Sequence, residues 1–99
     1  MSQKPYSKVV GTGVGRDTNI LTNFDLENMV DTSDEWIRTR TGICERRIAA
    51  PGETCSSMSL ASARQALAVA QLAPGDLDLI IVATSTPDYH VPSVASIVQ

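Results

Sequence analysis

Aromatic side chains are scarce in this 99-residue chain, with one Trp, one Phe and two Tyr making up 4% of it. A domain of this size buries only about 65% of the surface its unfolded form exposes, so a core poor in rings has little margin for standing alone. Histidine occurs once and cysteine twice. Cys44 and Cys55 stand eleven positions apart with no Cys-x-x-Cys pair, which indicates neither a disulfide framework nor a zinc site and leaves two reduced thiols. Positive charge is not in excess: eight Lys+Arg against eleven Asp+Glu give a net charge of −3. That balance argues against a general affinity for nucleic acid or for an anionic membrane, since both rest on summed positive charge. The longest apolar stretch, Leu79 to Ala83, is far short of the ~20 residues of a membrane helix. No apolar segment follows Met1-Ser2-Gln3-Lys4-Pro5 as it would in a signal peptide, so the sequence reads as cytoplasmic. Repeats and low-complexity tracts are missing too, and the length suits one small domain, residues 1–99, and not two.

Punctuation residues divide what is present into short elements. Lys8 to Val14 is a β-branched run ended by glycines and reads as a first strand passing into a flexible turn, followed by loop as far as Thr22. Asn23 offers a helix cap ahead of Phe24, Leu26, Met29 and Val30, which share one apolar stripe. Thr32-Ser33-Asp34-Glu35 fits a capping box, with Thr32 as the cap, for a second short helix from Ser33 to about Thr39, stopped by Thr41-Gly42. Cys44 to Ala49 alternates imperfectly and reads as an edge strand.

After Pro51-Gly52, Thr54 can cap a long helix reaching about Leu72, rich in Ala and Ser and carrying only Arg64 as charge. Such a helix is expected to be buried on most sides, because an exposed one would show a charged face. Pro74-Gly75-Asp76 breaks it. Leu79 to Ala83 is apolar on both faces, the pattern of a strand inside a parallel sheet covered by helices on either side, which places the chain in the α/β class. A last helix, capped at Ser93 behind Pro92, runs to Val98-Gln99 with no stop signal, so the sequence reads as one cut just after a helix begins.

Four motifs bear on chemistry. Gly11-Thr12-Gly13-Val14-Gly15, with Asp31 about 20 residues on, approaches a dinucleotide fingerprint, but the third glycine is misplaced and loop follows where the phosphate-binding helix should open. Arg38, Arg40, Arg46 and Arg47 crowd within ten positions beside the only tryptophan, Trp36. Trp36 and Arg40 are four apart and share a helical face, where an indole can stack on a base while a guanidinium forks onto phosphate. The other reading makes Trp36 a core anchor and pairs the arginines with Glu35 and Glu45; spacing alone leaves both open. Cys55 begins a helix but lacks a base, His90 being the sole candidate, so Cys55 reads as a buried structural thiol and Cys44 likewise. Thr84 to Tyr89 leaves the carboxyl end of the two-sided strand, as a site wall or as an ordinary Pro-Asp turn.

These residues carry a resemblance. Gly11-Thr12-Gly13, Thr22-Asn23, the block Asp31-Thr32-Ser33-Asp34-Glu35-Trp36-Ile37 running to Arg40-Thr41-Gly42-Ile43, Glu45-Arg46, and Ala83-Thr84 leading to Pro92-Ser93 make the chain similar to the N-terminal part of the β-ketoacyl-acyl carrier protein synthase III family. The resemblance implies a thiolase-like five-layered α-β-α-β-α fold, of which residues 1–99 are an incomplete part truncated before the catalytic Cys. It implies an acyltransferase that condenses an acyl-CoA primer with malonyl-acyl carrier protein at the start of fatty acid biosynthesis. The family's catalytic Cys, His and Asn match no position here, so the chain alone is expected to be inactive.

The resemblance also implies that Trp36 stacks on the adenine of coenzyme A, that Thr32 lies beside the same base and that Arg40 meets the phosphates. Acyl-CoA is then a substrate and no cofactor is held permanently; a homodimer is implied, and no metal, nucleic acid or membrane. Two positions depart from the family's pattern. Gly15-Arg16-Asp17 replaces a common Tyr-Leu-Pro, and Val91 stands where many members carry a Phe that reaches across the dimer to limit the acyl pocket. The rival readings are a paralogous acyltransferase of secondary metabolism and a non-catalytic module that binds coenzyme A.

Overall fold

The computed structural model describes residues 4–15 and 18–99. It divides into two compact units, Arg16–Glu53 and the paired segments Met1–Gly15 with Thr54–Gln99.

The smaller unit is organised around one antiparallel pair, β1 (Ile20–Thr22) on β2 (Glu45–Arg47), with Ile20 opposite Arg47 and Thr22 opposite Glu45. Backbone bonds from Ile48 N to Asn19 O (2.9 Å) and from Asn23 N to Cys44 O (3.1 Å) prolong the ladder at both ends. The stretch before Thr22, read above as loop, is therefore partly strand, and the edge strand expected over 44–49 contracts to Glu45–Arg47. A partner more than twenty residues away decides both, and local alternation does not report it.

Helix α1 (Asn23–Glu27) starts one residue before the sequence signal, because Thr22 is the cap: its hydroxyl accepts from Asp25 N (3.1 Å) and the Asp25 carboxylate accepts from Thr22 N (2.9 Å). Asn23 is inside the helix with its amide engaged elsewhere. Of the expected apolar stripe, Leu26 is half-buried while Phe24, Met29 and Val30 are exposed. Helix α2 (Asp34–Thr41) is capped by Ser33, whose hydroxyl accepts from Trp36 N (3.1 Å), so the cap lies one residue beyond Thr32. Gly42 closes α2 in the left-handed conformation at φ 73°, its N–H donating to Arg38 O.

The other unit is built on α3 (Cys55–Ala70), capped by Thr54 as its sequence signal indicates. Residues 11–15 run along α3 in the opposite direction. A Cβ on Gly11 would collide with the Ala66 carbonyl and touch Ala70, one on Gly13 with the Ser62 carbonyl, and one on Gly15 with the Met58 carbonyl. Every two residues of the segment thus match four of the helix. Extended backbone advances about 6.6 Å in two residues and a helix about 6 Å in four, so the two repeats stay in step. These glycines are a packing stripe against Met58, Ser62, Ala66 and Ala70 and make no flexible turn. The phosphate-binding helix that a dinucleotide fingerprint requires is not formed after them among the described residues.

A 3₁₀ turn, Pro74–Asp76, ends the α3 region, and α4 (Val94–Val98), capped by Ser93, packs on α3 with Val94 buried. Two expected strands, Lys8 to Val14 and Leu79 to Ala83, form no ladder among the described residues. A strand is defined by its neighbour, and the only paired sheet among these residues is β1 with β2. Ile80 and Val82 are half-buried while Leu79 and Ile81 are 74% and 81% exposed, so one face of this segment is covered. No residue of α3 is fully buried, against the expectation of burial on most sides, because the glycine segment and α4 cover only part of it.

Candidate functional site

The basic cluster and Trp36 fall together in the smaller unit. Trp36 lies in the first turn of α2 and is 54% exposed, so it anchors no core among the described residues. Arg40, one turn later, holds its guanidinium 4.8 Å from the centre of the indole ring, a cation–π contact worth about 0.5–1 kcal/mol at an exposed site. Beside the ring opens a cleft of about 320 Å³ lined by Asp31, Thr32, Ser33 and Trp36. Of the three residues singled out for coenzyme A, Thr32 and Trp36 thus line one cleft and Arg40 lies against the Trp36 ring.

The arginines do not pair as their spacing suggested. Arg38 donates through Nε to Asp34 Oδ2 (3.0 Å), a turn back on α2, and not to Glu35. Arg46 turns inward to Leu21 O (3.3 Å) and to Asn23 Oδ1 (2.7 Å), leaving Glu45. Arg47 is engaged as well. Arg40 forms no ion pair among the described residues, so its cation is available to an anion beside the indole. Asp34 is held below the usual carboxylate range, first by the amide of Asn23 and further by Arg38.

Sequence reasoning missed the support of this cleft. Asn23 is completely buried and makes four hydrogen bonds: Nδ2 to Asp34 Oδ1 (2.9 Å) and Ile43 O (2.7 Å), Oδ1 from Arg46, and its backbone N to Cys44 O. The motif Thr22-Asn23 contained it, but as a cap candidate. Nothing local separates a capping Asn from a buried one, since the partners lie 11 to 23 positions away.

Elsewhere the sequence candidates are dispersed. Cys44 is exposed and Cys55 half-buried, so among the described residues neither is the buried structural thiol expected. Cys44 directly precedes β2, and Cys55 stands at the start of α3 on a shallow cleft of about 280 Å³ with Gly15, Met58, Ser59, Ser62 and Thr86. His90 is exposed, and no hydrogen bond joins it to Cys55. Among the described residues no three His, Cys, Asp or Glu side chains gather as a metal site. No helix among them is long and apolar enough to cross a membrane.

The loop 84–90 is tied back onto α3. Asp88 accepts from Ser56 N (2.8 Å) and Ser56 Oγ (2.6 Å), and these two bonds hold its carboxyl below the usual range. The loop is thereby anchored at one point, and Val91 just beyond it is 85% exposed.

No family model matches the chain. It is 57% identical over 99 residues to β-ketoacyl-acyl carrier protein synthase III of Caldanaerobacter subterraneus subsp. tengcongensis, covering the whole of this chain and 30% of that protein. With the enzyme of the same name from Aquifex aeolicus the identity is 58% over 93 residues, 94% of this chain and 30% of the other. The crystal structure of the Aquifex aeolicus synthase matches the backbone at a TM-score of 0.85 and 58% identity, over 92% of this chain and 29% of that one. The priming β-ketosynthase of the R1128 polyketide pathway matches at a TM-score of 0.86 but only 37% identity, over 99% and 29%.

The fold is thus that of a thiolase-like condensing enzyme, of which the chain is a partial piece spanning about 30% of the length of its curated relatives. In sequence and backbone it belongs with the β-ketoacyl-acyl carrier protein synthase III family.

Proposed function

We propose that these residues are the acyl-CoA-holding part of an enzyme that condenses an acyl-CoA primer with malonyl-acyl carrier protein, releasing carbon dioxide and a β-ketoacyl product. The observation that carries this reading is the half-exposed indole of Trp36, with the Arg40 guanidinium beside it and a cleft at its edge. A flat ring offers a base a stacking surface, and a planar guanidinium offers phosphate a two-point fork. Thr32, on the cleft wall, supplies a hydroxyl that donates and accepts toward the edge of the same base.

Binding the nucleotide end at α2 orients the thioester end, and contacts remote from the reacting carbon lower the cost of placing it. The acyl transfer itself falls to a Cys, and the decarboxylation to a His and an Asn, which match no position in these residues. In the same proposal Val91 borders the acyl pocket, two copies form the working dimer, and the enzyme acts in the cytoplasm.

The test is Trp36→Ala and Arg40→Ala in an enzyme of full family length. Loss of stacking removes about 1–3 kcal/mol and loss of a charge-assisted phosphate contact about 1.5–3 kcal/mol. KM for acyl-CoA should therefore rise severalfold to about a hundredfold, with KM for malonyl-acyl carrier protein little changed. Unchanged Kd and KM for acyl-CoA in well-folded variants would remove the assignment. The close backbone match to a priming ketosynthase favours one second reading, a paralogue that loads a different primer or acceptor, and a panel of acyl-CoA primers separates the two.

A further inference from the structure

The Trp36 cleft is lined by Asp31, Thr32 and Ser33, which lead into α2, and by Trp36 in its first turn, with the Arg40 guanidinium against the indole ring. Asp34, the first residue of α2, stands in sequence between Ser33 and Trp36. Asp34 is pinned at three atoms. Its backbone N donates to Glu27 Oε1 (2.8 Å), its Oδ1 accepts from Asn23 Nδ2 (2.9 Å), and its Oδ2 accepts from Arg38 Nε (3.0 Å). Arg38 is half-exposed and on α2 itself, so it moves with the helix and fixes nothing outside it. Glu27 is an exposed carboxylate at the end of α1. Asn23 differs from both in being wholly buried and tied at three further points to residues 43–46, the run that leads from α2 into β2: its Nδ2 donates to Ile43 O, its Oδ1 accepts from Arg46, and its backbone N donates to Cys44 O.

We propose that Asn23 is a positioning residue for the Thr32, Trp36 and Arg40 cleft, acting through Asp34 to fix the start of α2 against α1 and β2. The inference rests on the reading of that cleft as the coenzyme A site. Asn23 touches no ligand. Its amide supplies two donors and an acceptor at one buried point, a combination that neither a carboxylate nor a hydroxyl reproduces. A buried amide so satisfied has one low-energy arrangement, because each displaced bond leaves a polar atom without a partner. The first turn of α2 is held to that arrangement, and the indole and guanidinium with it.

In an enzyme of full family length, Asn23→Asp keeps the shape and the acceptor for Arg46, but removes both donors and sets a carboxylate against Asp34. Kd for coenzyme A should rise about tenfold, as expected when a binding surface is displaced by a fraction of an ångström, with KM for acyl-CoA rising further than kcat falls. Combining it with Asp34→Asn reverses the polarity of the pair: the amide at position 34 donates to the carboxylate at 23 and still accepts from Arg38. This double variant should recover part of the lost affinity, the bond to position 34 being restored and the one to Ile43 O not. Gly11→Ala, in the other unit, is the control for instability, lowering the melting temperature without moving Kd for coenzyme A. If Asn23→Asp does not fold, Asp34→Asn alone, which leaves one acceptor oxygen for two donors, should raise Kd about threefold.

A folded Asn23→Asp protein, or a folded Asp34→Asn protein in its place, with wild-type Kd for coenzyme A overturns the proposal. So does a double variant no better than the single one. Trp36→Ala without effect on that Kd overturns the site reading itself, which makes the two failures distinguishable.

Discussion

Replacing Gly13 with Ala puts one methyl group between the glycine segment and α3, and the structure fixes where it goes. A Cβ there would overlap the Ser62 carbonyl oxygen, stand 2.8 Å from Ala66 N and 3.0 Å from Gln65 Cβ. Two of these atoms are helix backbone, which cannot retreat without breaking the hydrogen bonds of α3. The segment must lift instead. Lifting separates Gly11 and Gly15 from their own helix contacts and stretches the 2.7 Å bond from Val14 N to Gln65 Oε1. Overpacking of this kind costs about 1–3 kcal/mol and the lost bond about 1 kcal/mol. The smaller backbone entropy of Ala returns about 0.5–1 kcal/mol. The net expectation is a loss of about 1.5–3 kcal/mol, from the sum of these terms.

The assay is calorimetric melting of the enzyme of full family length, with Gly75→Ala as the control. Gly75 has nothing within 4 Å of its would-be Cβ and needs no left-handed backbone, so that change should stay within about 0.5 kcal/mol of wild type. If Gly13→Ala melts with Gly75→Ala, the glycine stripe is not a close-packed seam and the step-matching argument fails.

Gln71 closes α3 in the left-handed conformation at φ 58°, where a side chain is strained; Gln71→Gly should stabilise by about 0.5–1 kcal/mol, read as a raised melting temperature. Asp88 bears on acid stability. Its carboxyl is held below the usual range by the Ser56 bonds, so its contribution is full above the unfolded value of about 3.9 and is lost as pH falls through the folded one. Asp88→Asn should therefore flatten the loss of stability below about pH 4, and melts that steepen equally in both proteins would count against the tether. For Val91, exposed just past that tether, Val91→Phe should shift kcat/KM toward acetyl-CoA over a branched primer by about tenfold or more; an unchanged ratio would move the acyl pocket elsewhere.

Local chemistry made much of this legible. Thr54 and Ser93 mark their helices because a hydroxyl one residue ahead of a helix satisfies a free N–H wherever it occurs. The Trp36 and Arg40 pair follows from a spacing of four and is met in the structure at 4.8 Å. What could not be read shares a different feature. The β1–β2 pairing, the burial of Asn23 and the grip of Asp88 on Ser56 each join residues 11 to 32 positions apart, and no local pattern names the partner. Even within capping signals neighbouring residues compete, Thr22 with Asn23 and Thr32 with Ser33, and Asn23 loses the cap because its side chain is engaged by Asp34, Ile43 and Arg46.

The segment 79–83 shows how sequence and structure constrain each other where they differ. Its composition demands two covered faces, because Leu79 and Ile81 point opposite to Ile80 and Val82 along any extended chain. The described residues cover one face, with Ile80 and Val82 half-buried, while Leu79 and Ile81 lie open along a cleft of about 970 Å³ that runs between α3 and α4. Each exposed side chain of that size forgoes about 1.5–3 kcal/mol of burial. The same holds for the small-residue helix α3, too apolar for solvent yet nowhere fully buried. Composition thus records the environment for which these residues were selected, and the hydrogen-bonded elements record how much of it 99 residues supply. The backbone agrees with that of solved relatives at TM-scores of 0.85 and 0.86 over 29% of their length, so the open face does not require a misplaced segment.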